Sequence, residues 1–201
     1  ERGWYVYRTL WETAQRTQAD LLAELEMRQA NGEVSSFQSH FIINAVLVQG
    51  SRTVVDEIAL RNEVAYIESL DTYAIPETTT AQGEAIHGLA WGVEKIRADE
   101  VWADFDVHGE GIVMASIDTG VAWDHDALRH KYRGYDGYQH DYNWWDPYNS
   151  SQPSDSDGHG SHTMGTMLGD DGEGEQIGVA PEAQWIAAMG CPGGTCPIAD
   201  L

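Results

Sequence analysis

The sequence predicts an α/β fold built on a parallel sheet, preceded by a smaller α+β segment. Three observations lead there. Ile112 to Ile117 is an unbroken apolar run ending on Asp118-Thr119-Gly120, as expected of a strand buried on both faces of a parallel sheet. Gln184 to Met189 is a second such run. The small-residue helix Gly158 to Leu168 lies between them, so the order is strand, crossover helix, strand. Ahead of these, residues 74–90 are polar and small, carry Pro and Gly and show no period, which reads as a linker between two segments.

Taken in order, residues 9–30 read as one helix. Ala14, Leu21, Leu22, Leu25 and Met27 form its apolar stripe, and Asn31-Gly32 stops it. Phe37 to Val48 is rich in Phe, Ile and Val and reads as a strand. Gly50-Ser51 turns the chain into a short helix, Thr53 to Leu60, and Val64 to Leu70 reads as a second strand. The first segment is therefore α-β-α-β. The second opens with a helix over Val93 to Phe105, with Val93, Ile96, Val101, Trp102 and Phe105 facing inward. No internal repeat or low-complexity tract is present. Glu1 and Leu201 both read as cut ends of a longer chain.

Composition excludes two classes of function. The formal net charge is −22, and from Gly134 onward there is no Lys or Arg. A polyanionic surface repels phosphate backbones, so nucleic acid is not expected as a partner. No apolar run approaches the roughly 20 residues of a membrane-spanning helix. The two cysteines sit in Cys191-Pro-Gly-Gly-Thr-Cys196. Four intervening residues rich in Pro and Gly can fold back to bring the sulfurs together, which favours a small disulfide loop over two free thiols. A disulfide implies an oxidising, extracellular setting.

Two stretches carry chemistry. Asp118 ends a buried parallel strand, where open α/β sheets place ligands. By itself Asp-Thr-Gly is also the signature of aspartic proteases, which need two such acids sharing a proton. Only one is present, and a homodimer would have to supply the other. Asp157-Gly-His-Gly-Ser-His-Thr-Met-Gly-Thr166 is the more specific stretch. It puts His159 at a helix start between Gly158 and Gly160, with His162 one turn on, bracing the helix. Zinc is disfavoured, since the metalloprotease pattern spaces its histidines by four with a Glu between.

These blocks resemble those of the subtilisin-like serine proteases. Ala115 to Val121, with Thr119 and Gly120, looks like the family's aspartate block. Gly158 to Thr166 looks like its histidine block, and Gly178-Val-Ala-Pro-Glu-Ala183 like the strand entry that follows. The order Asp then His also matches, because the subtilisin triad runs Asp, His, Ser along the chain. The Trp/Tyr-rich stretch around Asn143-Trp-Trp-Asp-Pro147 is similar to the bacillopeptidase F branch; ordinary loop packing or a wall of the substrate cleft would account for it.

The resemblance implies a secreted endopeptidase acting on protein and peptide substrates, with no cofactor for catalysis. Asp118 and His159 are its catalytic residues here, and the serine and an oxyanion-hole Asn lie outside this chain. It also implies domains: a ferredoxin-like (β-α-β-β-α-β) propeptide over 1–77, acting as folding chaperone and inhibitor; a linker and processing zone over 78–90; and the N-terminal part of an α/β/α catalytic domain over 91–201. The chain alone is expected to be inactive. Calcium is expected, if at all, as a structural ion. The family's tight site is not carried over, because Ala127 stands where a ligand Asp belongs; Asp155, Asp157, Asp170 and Asp171 are the other candidates. A non-catalytic, subtilisin-like binding module is the alternative.

Overall fold

The computed structural model describes residues 2–76 and 88–197. They divide into two compact units, the first up to Ser69 and the second from Leu70. The break falls ahead of the 77/78 boundary that the resemblance implies, and most of the expected linker and processing zone lies outside the described residues.

The first unit runs α1 (Arg2–Ala30), β1 (Val34–His40), β2 (Ala45–Gly50), α2 (Arg52–Ile58). Helix α1 stops where Gly32 takes φ 78, a left-handed turn that glycine adopts without strain. The single strand expected over Phe37–Val48 is instead an antiparallel hairpin, with Phe37 opposite Val48 and His40 opposite Ala45. Its turn is closed by Asn44, whose φ is +50, and whose N–H donates to the Phe41 carbonyl. Ile42 and Ile43, apolar like strand residues, are exposed at the turn. The second strand expected over Val64–Leu70 is irregular chain, though Val64 still packs on the core. The order is therefore α-β-β-α, not α-β-α-β. Leu21, Leu25, Val34, Val54 and Ile58 make the core. Gln18 is buried beside it and satisfied by the Ser39 hydroxyl, Asn44 and the Ala45 carbonyl.

The second unit runs β3 (Thr72–Ala74), α3 (Trp91–Lys95), α4 (Ala98–Phe105), β4 (Val113–Asp118), α5 (Asp126–Arg129), β5 (Trp144–Trp145), α6 (His159–Leu168), β6 (Gln184–Met189), β7 (Thr195–Pro197). The expected helix 93–105 is two helices, broken at Arg97, whose φ is +64. Of its expected inward face, Val93 is buried. Ile96, Val101 and Phe105 are exposed, and Ile96, Val101 and Trp102 line an apolar concavity of about 280 Å³ with Val107 and Val179.

Strands β4, β6 and β5 form a parallel sheet in the order β4-β6-β5, with Val113 opposite Gln184 and Asp118 opposite Met189. One face packs against α5 and α6 around Trp185, Leu128, Tyr132, Met164 and Leu168, all at most 2% exposed. Each such side chain contributes on the order of 2 kcal/mol of apolar burial. The other face is not covered among the described residues: Val113 and Ile117 are 40% and 58% exposed. Strand β4 is thus covered on one side, where burial on both was expected. No described helix is long and apolar enough to cross a membrane.

The aromatic stretch divides its residues. Trp144 enters the core, with its indole N–H donating to the Ser150 carbonyl, while Tyr142 and Trp145 are exposed. Tyr132 is buried, its hydroxyl 3.0 Å from His140 Nδ1, and burial pushes its phenol up to about 12.

Candidate active site

Asp118 is the last residue of β4 and His159 the first of α6, so the parallel sheet and the helix packed on it aim the two at each other. His159 Nδ1 lies 2.8 and 3.0 Å from the two Asp118 carboxylate oxygens. The carboxylate has only acceptors to offer, so Nδ1 is the donor in this contact, and in the neutral imidazole Nε2 is then the acceptor. Nε2 has no protein partner among the described residues. Asp118 is further held by the Thr119 N–H at 2.7 Å and by the Thr163 hydroxyl at 3.3 Å. The side chains of His159 and Asp118 are 26% and 13% exposed: the acid is shielded and the base reachable.

Glycines permit this approach. A Cβ on Gly160 would lie 2.0 Å from the Gly120 carbonyl oxygen and 3.2 Å from Asp118 Cβ. Gly120, at φ 100, would clash with the Ser154 carbonyl in the same way, and Gly158 starts the helix at φ 98. Thr119 is fully buried. Its hydroxyl accepts from the Gly160 N–H (2.8 Å) and donates to Asp155 Oδ1 (2.9 Å). His162, expected to brace the helix, has an exposed side chain; its carbonyl accepts from the Thr166 hydroxyl.

Asp155 was legible from sequence only as a carboxylate, not as part of this site. Its Oδ1 accepts from the Thr119 hydroxyl and the Asp157 and Gly158 N–H groups. Its Oδ2 accepts from the N–H and hydroxyl of Ser161. The Ser161 hydroxyl in turn accepts from the Ala122 N–H. One carboxylate thereby fastens the loop after Asp118 to the turn before His159. Burial pushes this carboxyl up, but the donors of Ser161, Gly158 and Thr119 outweigh it and hold it below the usual carboxylate range. An Asp just ahead of a helix start, with Ser two residues inside, is the local signal that could have marked it.

The same bonds bear on calcium. Asp155 is committed to five donors, and Asp171 Oδ1 accepts the N–H groups of Glu173 and Glu175. No step below uses a metal. Among the described residues one trio, His108, Glu110 and Glu182, brings ligand atoms within 4.8 Å of one another; exposed carboxylates gather so without an ion, and none is assigned.

Cys191 and Cys196 are disulfide-bonded, as their spacing favoured. The Gly190 and Cys191 N–H groups both donate to the Asp118 carbonyl, which joins this loop to the end of β4.

Residues 109–200 match peptidase S8, the subtilase family. Bacillopeptidase F of Bacillus subtilis is 35% identical over 94% of this chain. The major intracellular serine protease and the minor extracellular protease Vpr of the same organism are 36% and 35% identical over 56% and 50% of it. The chain spans 14%, 34% and 12% of the lengths of these three relatives.

Proposed function

Because residues 109–200 belong to the subtilase family, we propose that the chain is the front part of a secreted subtilisin-like serine endopeptidase. It supplies the acid and the base of an Asp-His-Ser triad. The observation that carries this is the contact of His159 Nδ1 with both Asp118 oxygens at the carboxyl end of a parallel strand. In that geometry His159 Nε2 accepts the proton of a serine hydroxyl as the oxygen attacks the peptide carbonyl. Asp118 holds the tautomer and stabilises the imidazolium, and His159 then protonates the leaving amine. An aspartic mechanism is disfavoured, since Asp118 faces an imidazole and not a second carboxyl.

The nucleophile belongs to sequence beyond this chain. Ser161 Oγ donates to Asp155 at 2.6 Å, Ser116 Oγ is shielded within β4, and no described serine hydroxyl bonds His159. The length of the relatives supports the same reading. Extracellular localisation is supported by the disulfide and by the printed name of Vpr, while the intracellular relative points the other way.

Residues ahead of the site act, in this proposal, as a propeptide that inhibits the enzyme. The α-β-β-α order of the first unit is the interior of a β-α-β-β-α-β ferredoxin-like order. The extended segment that follows supports inhibition: β3 adds antiparallel to β7, as a bound peptide adds to a sheet edge.

The test is fluorophosphonate labelling. The full-length protein is expected to label on one serine, and His159→Ala to abolish labelling, while the 201-residue chain stays unlabelled. A full-length protein that binds peptides but never labels would be a non-catalytic module instead.

A further inference from the structure

Strand β7 is only three residues long and pairs with β3 in a two-stranded sheet separate from the main one, a combination that is marginal by itself. What holds it is the loop before it. Cys191 is pinned, its N–H donating to the Asp118 carbonyl at 3.0 Å. From there Pro192–Gly194 makes one tight turn, with Gly193 and Gly194 at φ 60 and 77 and the Gly194 N–H returning to the Cys191 carbonyl. The turn delivers Cys196 back to Cys191, with the two Cα atoms 4.0 Å apart and both cysteines buried.

The outgoing arm, Thr195 to Pro197, carries the pairing: Thr72 opposite Pro197, Tyr73 opposite Cys196, Ala74 opposite Thr195, and the Ile75 N–H on the Gly194 carbonyl at 2.8 Å. Gly194 also rests against Asp157, two residues before His159; a Cβ there would be 2.8 Å from Asp157 Oδ2. The disulfide therefore ties a pinned arm to a peptide-pairing arm, next to the turn that starts the His159 helix.

We propose that the Cys191–Cys196 disulfide is a redox-sensitive determinant of peptide binding, which holds the β7 edge where an extended peptide backbone pairs beside the Asp118–His159 pair. The proposal rests on reading β3 as a peptide bound at the enzyme's edge strand. Reduction by a dithiol is balanced. One thiolate of dithiothreitol attacks one cysteine sulfur, forming a mixed disulfide and releasing the other cysteine as a thiolate; its second thiol then attacks the dithiothreitol sulfur of that mixed disulfide and displaces the first cysteine. Two cysteine thiols and one cyclic, oxidised dithiothreitol result. Opening so short a ring releases an arm otherwise held by a few hydrogen bonds, and peptide pairing weakens on the order of tenfold.

Amide hydrogen exchange on this chain, oxidised and then reduced with dithiothreitol, tests it, with Cys191→Ser/Cys196→Ser as a reagent-free control. The Ile75 amide is expected to exchange about tenfold faster after reduction and in the double variant, while the Met114 to Ile117 and Trp185 to Ala188 amides keep their protection. In the full-length enzyme, KM for an extended peptide should rise by a like factor, with kcat held within about twofold. Equal Ile75 protection in both redox states overturns the proposal. So does collapse of β4 and β6 together with β3, which would make the bridge a general staple of the fold. An Ile75 amide unprotected even when oxidised removes the bound-peptide reading itself, and the proposal with it.

Discussion

Replacing Asp155 by Asn tests whether one carboxylate aligns the Asp118–His159 pair. The substitution keeps shape and removes charge. The new amide nitrogen must face either the Ser161 N–H or those of Asp157 and Gly158. The Thr119 and Ser161 hydroxyls can rotate to suit it, whereas a backbone N–H cannot. At least one donor is then opposed, at about 1–3 kcal/mol, and the remaining bonds lose their charge assistance, about 1 kcal/mol each. Asp155 is only partly buried and water can replace some of this, so the expected net loss is about 2 kcal/mol, read by urea denaturation followed through Trp fluorescence. The loop after Asp118 and the turn before His159 are then free to drift. A displacement near 1 Å costs on the order of 10²-fold in rate, so kcat of the full-length enzyme should fall about 10- to 100-fold with KM little changed. The pH dependence has a definite sign. A carboxyl held below its unfolded value, near 3.9, contributes stability that is present above that pH and is lost as pH falls through the folded value. Wild type should therefore lose stability below about pH 4 more steeply than Asp155→Asn. An unchanged urea midpoint together with unchanged kcat would refute the reasoning.

Three further outcomes follow from the same geometry. Gly160→Ala puts a methyl 2.0 Å from the Gly120 carbonyl oxygen, so backbone must shift and a loss of about 4 kcal/mol is expected in thermal melts followed by circular dichroism. In the full-length enzyme, Asp118→Asn and His159→Ala should each lower kcat on the order of 10⁴-fold, and the double variant little further, because the pair acts as one unit; additive losses in steady-state assays would argue against it. Tyr132, with its phenol pushed up to about 12, contributes stability present below about pH 10 and lost as pH rises toward 12, since the unfolded chain ionises first. Tyr132→Phe should lose that share of the alkaline fall when urea midpoints are compared between about pH 9 and 12.

The fold was legible where local pattern and tertiary demand agree. Helix α6 and strand β6 fall where their sequences place them, because small residues at a glycine-started helix and an apolar run before a cysteine loop leave few other conformations. Legibility failed where a local feature mimics another. Ile42 and Ile43 look like strand interior, yet they sit exposed in a turn closed by Asn44, so the hairpin reads in sequence as one strand. Arg97 breaks a helix with a left-handed φ of 64, a conformation that nothing in a charged, helix-favouring residue announces. Val113 and Ile117 are apolar as for two-sided burial, but the second face has no cover among the described residues, so sequence alone reported a demand without showing what meets it.

The site divides along the same line. Asp118, His159 and the glycines around them could be read directly, because each is fixed by its own backbone: a strand end, a helix start, and two positions where any Cβ collides. Asp155 could not, because its meaning lies in partners on two separate segments, Thr119 on one side and Gly158 and Ser161 on the other. A motif records which side chains meet the substrate. The groups that hold those side chains in register are spread over the chain and show themselves only as a closed set of hydrogen bonds. The pair, its glycines and its carboxylate clamp all fall within residues 118–163. In the proposed triad, a serine brought to Nε2 would meet an imidazole whose orientation the Asp118 contact already sets.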